Sequence, residues 1–163
     1  MTGRDRRRSL SRVTLLGALA LMVLASPAQS TVALDPTSVD RTGWPNDFLI
    51  CPPGACAAVA DLPGPILAAP PEAVLDAWRD VIGAAPRTVI QAVDEQQLAL
   101  QAEQRSALFG FVDTVAVRVL ALPDGRSTFA AYSRSETGYW DLGVNRRRLG
   151  EWAAAVERRL AGG

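Results

Sequence analysis

The sequence contains no histidine and no lysine. Without imidazole there is no Ser-His-Asp or Cys-His nucleophile system and no histidine metal ligand. Without lysine, all 17 basic side chains are arginines, and they are matched by 17 acids. Cysteine is scarce too. Two thiols with no histidine and no further cysteine make a poor zinc site. There is no glycine-rich phosphate loop and no internal repeat. No cofactor and no metal are expected.

The charge is unevenly placed. Residues 1–30 hold Arg4, Arg6, Arg7, Arg8 and Arg12 against Asp5. Taking five arginines and one acid from 17 and 17 leaves 12 against 16, so the remainder carries about −4. A mildly acidic body argues against non-specific nucleic-acid binding. With 163 residues, 48% of them hydrophobic, the chain supports one domain with a core.

Residues 1–30 read as a signal peptide. A basic start precedes the apolar run VTLLGALALMVLA over residues 13–25, too short to span a bilayer comfortably. Ala28 and Ser30 then give the small-x-small spacing of a cleavage site. The expected address is periplasmic or secreted, with membrane contact only through this segment if it stays uncleaved. Arg7-Arg8-Ser9-Leu10 leaves twin-arginine export open. Cys51 and Cys56 flank PPGA, a tight reversal, and an oxidising compartment predicts a local disulfide between them.

Residues 31–70 are rich in Pro, Gly, Ala and Asp and predict an irregular arm. Residues 71–163 predict a single domain. Pro70-Pro71-Glu72 opens a helix whose Val74, Leu75, Trp78, Val81 and Ile82 form an apolar stripe. Strands are expected over 87–93, 96–104, 111–122 and 126–134, with Pro123-Asp124-Gly125 as a hairpin signal. Leu149, Trp152, Ala153, Val156 and Leu160 mark a last amphipathic helix. The expected fold is α+β: a four-stranded antiparallel sheet, two helices on one face and the other face wet. Its order is α-β-β-β-β-α.

One polar run stands out, YWDLGVNRRR over residues 139–148. Arginines are disfavoured at a helix N-terminus. Extending the last helix backwards from Leu149 by four and by three puts Asn145 and Arg146 inward, with Leu142 one further turn up. Asp141 caps the helix start, Arg147 turns out towards Glu151, and Arg148 falls at the margin. An inward arginine needs a partner, either an acid such as Asp113, Glu136 or Asp141, or a bound anion.

LFGFVDTVAVRV, YSRSETGYWDLGVNRRRL and PNDFLICPPGAC together resemble the bacterial domain of unknown function family numbered 1499. The core of the likeness is Asp141, Leu142, Gly143, Asn145, Arg146 and Arg148, with Gly110, Phe111, Val112 and Asp113 at a strand entry. The resemblance implies an exported or lipid-anchored envelope protein and no particular chemistry. Two positions depart from the family pattern. Thr114 stands where a second acid is frequent, and Glu136 where an arginine is frequent, with Arg134 nearby. The candidate cluster is therefore Asp113, Arg134, Asp141, Asn145, Arg146 and Arg148. The expected function is a non-catalytic structural or binding module, its partner a small anionic ligand or an envelope protein. The alternative is a small carboxylate-dependent hydrolase using Asp113, Glu136 and Asp141.

Overall fold

The computed structural model describes residues 31–41 and 43–162. The signal peptide expected over residues 1–30 lies outside the described residues. The elements are β1 (Asp47–Ile50), α1 (Pro71–Ala84), β2 (Thr88–Asp94), β3 (Ala99–Arg105), β4 (Val112–Ala121), β5 (Ser127–Ser135) and α2 (Val144–Ala161). No helix among the described residues is long and apolar enough to cross a membrane.

The class is α+β as expected, but the sheet has five strands rather than four. Their order is β1-β5-β4-β3-β2, every pair antiparallel. The chain order is therefore β-α-β-β-β-β-α. The added strand comes from the arm. Its four residues, DFLI, are too few for period-two alternation to register in sequence. Pairing makes it a strand: Phe48 lies opposite Ser133 and Ile50 opposite Ala131.

Alternation then sorts the side chains. Phe48 and Ile50, Leu100 and Ala102, Val115, Val117 and Val119, and Phe129 and Ala131 face the helices. Val74, Leu75, Trp78 and Ile82 of α1 and Leu149, Trp152, Ala153 and Val156 of α2 cover them. Trp78 meets Phe129 edge-on, with ring centroids 5.0 Å apart.

The other face is not left wet. Val39, Leu49, Cys51, Ala130 and Tyr132 form a second apolar cluster beneath the arm. Arg118 pairs with Asp35 at 2.8 Å, and the amides of Ala33 and Leu34 donate to Gln101 Oε1. The expected disulfide joins Cys51 to Cys56, whose Cα atoms are 6.3 Å apart. So short a loop contributes about 2 kcal/mol. Gly64 is required where the arm returns: a Cβ there would sit 2.6 Å from the carbonyl oxygen of Phe129. The arm is thus a third layer.

Candidate functional site

The inward parity of three strands ends in polar residues at one end of the sheet. Leu100 and Ala102 lead to Gln104; Val119, Val117 and Val115 lead to Asp113; Phe129 and Ala131 lead to Ser133 and Ser135. Register sets Gln104 opposite Asp113 and Asp113 opposite Ser135, so these three form one rung. Asn145 and Arg148, one turn apart on α2, come down onto that rung.

Arg148 is the hub. Its Nε donates to Gln104 Oε1 at 2.7 Å, and Nη1 donates to Ser133 Oγ at 2.9 Å and to Asn145 Oδ1 at 2.5 Å. Its Nη2 forms a short ion pair with Asp113 Oδ2. The two charged side chains are 5% and 6% exposed, which makes this a buried pair. Asn145, fully buried, accepts from Ser133 Oγ and donates through Nδ2 to the carbonyl of Asn46 (2.9 Å) and to Ser135 Oγ (3.1 Å). Asn46 Nδ2 donates in turn to the Gly138 carbonyl at 2.7 Å. The cluster ties the segment entering β1, through Asn46, to β3, β4, β5, α2 and the β5–α2 loop.

The arginine expected inside is therefore the wrong one. Arg146 is exposed, and Arg148, expected at the margin, is buried. At 3.6 residues per turn the two lie on opposite flanks of the α2 stripe, roughly 70° and 90° from its centre. Helical period does not separate them. The polar rung does, because it lies beneath the Arg148 flank. Leu142, also expected inward, is 73% exposed. The helix begins only at Val144, and Leu142 and Gly143 both have left-handed backbones, with φ of 57° and 75°. Helical periodicity does not reach Leu142.

Asp141 does cap the helix start. Its Oδ1 accepts from the Gly143 amide at 2.7 Å and its Oδ2 from the Asn145 amide at 2.8 Å. That carboxylate occupies the amides that would otherwise attract an anion to the helix terminus. Arg134 stands apart from the cluster, on the outer face, paired with Glu136 at 3.2 Å. Glu136 also accepts from Thr114 Oγ1 at 2.6 Å, so the two family departures contact each other. Gln104, Ser133, Ser135 and Asn46 belong to the network although sequence reasoning does not single them out. Strand parity is the available signal for the first three.

Beside the buried cluster lies an open cleft of about 400 Å³. Trp44, Trp140 and Arg146 line it together with Asp47, Asp61 and Arg41. Arg41 is held by Asp47 at 2.5 Å and Asp61 at 3.0 Å, and these contacts, the hydrogen bond to Asp47 first, raise its pKa. The Arg146 side chain forms no hydrogen bond or ion pair with the described residues. Because Asp47, Asp61 and Asp141 share the cleft, a small free anion has little electrostatic reason to settle there. Among the described residues no three His, Cys, Asp or Glu side chains gather as a metal-binding group.

Asp47 has another partner, the Tyr132 hydroxyl, which donates to Oδ2 at 2.8 Å. Burial first, then this hydrogen bond, raise the Tyr132 pKa well above its ordinary value. A raised folded-state pKa means the protonated phenol stabilises the fold fully below the unfolded value of about 10 and progressively less above it. Urea midpoints measured between about pH 9 and pH 11 should therefore fall more steeply for the parent than for Tyr132→Phe. Equal slopes would show that Tyr132 makes no such contribution.

Fold and site together define a small α+β module whose core is closed at one end by a polar network. Residues 45–156 match the family described as Protein of unknown function (DUF1499), and the chain belongs to that family. That match begins beside β1 and ends in α2, so the arm's strand lies within it. The crystal structure of Ara h 8.0201 is similar over 61% of this chain and 95% of that one, at 12% identity and a TM-score of 0.47. None of the curated proteins matches the chain.

Proposed function

We propose that this chain is a non-catalytic module exported to the cell envelope, that it works by binding, and that the Asp113–Asn145–Arg148 cluster is its internal frame. The observation that carries this reading is the internal engagement of Arg148. Four of its five guanidinium N–H groups donate to Gln104, Ser133, Asn145 and Asp113, all from within the protein, and the side chain is only 5% exposed. The acids of the hydrolase alternative are likewise engaged: Asp113 by Arg148, Glu136 by Arg134 and Thr114, Asp141 by the α2 amides. A general acid and base need a reachable proton path to substrate, and these acids are held in pairs and caps. The basic, apolar start of the sequence and the Cys51–Cys56 disulfide support the address.

Calorimetric titration of the full chain with phosphate, sulfate and a uronic acid tests the reading. No saturable heat is expected from any of them. Saturable heat that survives Arg146→Ala and disappears in a still-folded Arg148→Lys variant would make the cluster a binding site instead.

A further inference from the structure

Three segments leave the sheet at the same end as the polar network: residues 43–46, 106–111 and 136–143. Register fixes this, since Asp47 lies opposite Arg134, Arg105 opposite Val112 and Asp113 opposite Ser135. Across β1, β5, β4 and β3 their tips spread over about 14 Å, three strand spacings. Those tips are apolar. Leu108 is 80% and Phe109 69% exposed, while Tyr139, Trp140 and Leu142 are all more than three-fifths exposed. The rings are arranged in pairs. Phe109 stacks on Phe111 at 5.4 Å, and Trp44 leans on Tyr139 at 5.4 Å. The β3–β4 tip is held in shape by the Ser106 amide donating to the Phe111 carbonyl and the Phe111 amide donating to Ser106 Oγ. An exposed apolar patch of this kind marks an interaction surface.

Charge identifies the partner. Arg87, Arg105, Arg146 and Arg147 are all exposed around these tips, and none is in an ion pair with the described residues. Asp141 and Glu151 are the acids set among them, Asp47 and Asp61 share Arg41 in the cleft beside Arg146, and Glu103 lies a rung deeper. Arg134 and Glu136 neutralise each other. The chain after residue 30 carries about −4 overall, and these four arginines offset the acids at this end, which leaves the surplus negative charge on the rest of the body. A second copy docked tip to tip would bring two sets of arginines together, which is unfavourable. A bilayer fits the arrangement: apolar tips enter the acyl region, Trp and Tyr sit at headgroup level, and arginines meet anionic headgroups. The acidic body turns this end towards a negative surface.

We propose that this end docks on an anionic lipid bilayer, through Leu108, Phe109, Trp140 and the arginines behind them. The inference rests on the reading that the protein acts by binding, and it supplies the partner. It would add a second membrane contact to the one expected through the N-terminal segment.

The test uses the full chain and vesicles of phosphatidylcholine, with and without phosphatidylglycerol, carrying brominated acyl chains. All four tryptophans lie at or after Trp44, so insertion of the leader contributes no tryptophan of its own to the signal. Quenching of tryptophan emission is expected with phosphatidylglycerol. Leu108→Ser/Phe109→Ser should weaken it at least tenfold, with an unchanged melting temperature as the fold control. Arg105→Gln should weaken it about fivefold, and an exposed control at the opposite end, Ile66→Ser, should not. Absence of quenching at every composition overturns the proposal, as does equal quenching by the loop variant. Loss of self-association or of an acidic protein contact in that variant, without any lipid quenching, overturns it in favour of a protein partner. The calorimetric result depends on Arg148 and not on these loops, so either reading can fail alone.

Discussion

Arg148→Met is expected to destabilise the protein by about 3–5 kcal/mol, whereas Arg146→Ala should change stability by no more than about 0.5 kcal/mol. The two residues are two positions apart on one helix, yet one is buried and the other exposed. Methionine keeps most of the apolar stem, so the loss is electrostatic rather than a cavity. It leaves the Asp113 carboxylate buried without its cation and strips donors from Gln104, Ser133 and Asn145. Leaving a buried charge unpaired is more costly than the pair itself is stabilising. Urea unfolding of both variants at neutral pH is the measurement. Comparable losses in the two would place the structural role elsewhere.

Asp113→Leu carries the second large effect, again about 3–5 kcal/mol. Here the stranded group is the buried guanidinium of Arg148, left without its carboxylate. Leucine has the same branching at Cγ as the aspartate it replaces, though it is larger, and it continues the apolar run of Val115 and Val117, so burial offers some compensation. That compensation is small beside an unpaired buried cation. The double variant Asp113→Leu/Arg148→Met should be more stable than the sum of the single losses indicates, because neither charge is then alone. Full recovery is not expected, since Gln104, Ser133 and Asn145 still lose the partner that satisfied them.

Much of the fold is legible in the sequence, for physical reasons that also mark where legibility stops. The α1 stripe and the long strands carry their own periodicity, and it sorts the side chains that face the helices, although β5 is buried on both faces. Cys51 and Cys56 sit on either side of a reversal, and the bond forms there. The short strand β1 has no such signal, because its identity is conferred by β5 across the chain. The outer face reads as wet because residues 31–62 have no period at all, although they cover Ala130 and Tyr132.

The site shows the same division. Strand parity marks Asp113 as inward, helical period does so for Asn145, and Asp141 carries the signature of a cap. The choice between Arg146 and Arg148 lies beyond the helix's own pattern. Both flank its stripe, and a rung built from Gln104, Asp113 and Ser135 decides between them. That rung is itself written in the parity of β3, β4 and β5, whose inward positions turn from apolar to polar at the same end of the sheet.

The most direct test of the central claim, that this cluster is a closed internal frame, is the double-mutant cycle on Asp113 and Arg148 in buffer free of added anions. A favourable coupling of about 2–3 kcal/mol between them is expected. Additive losses, with no coupling beyond about 0.5 kcal/mol, would contradict it.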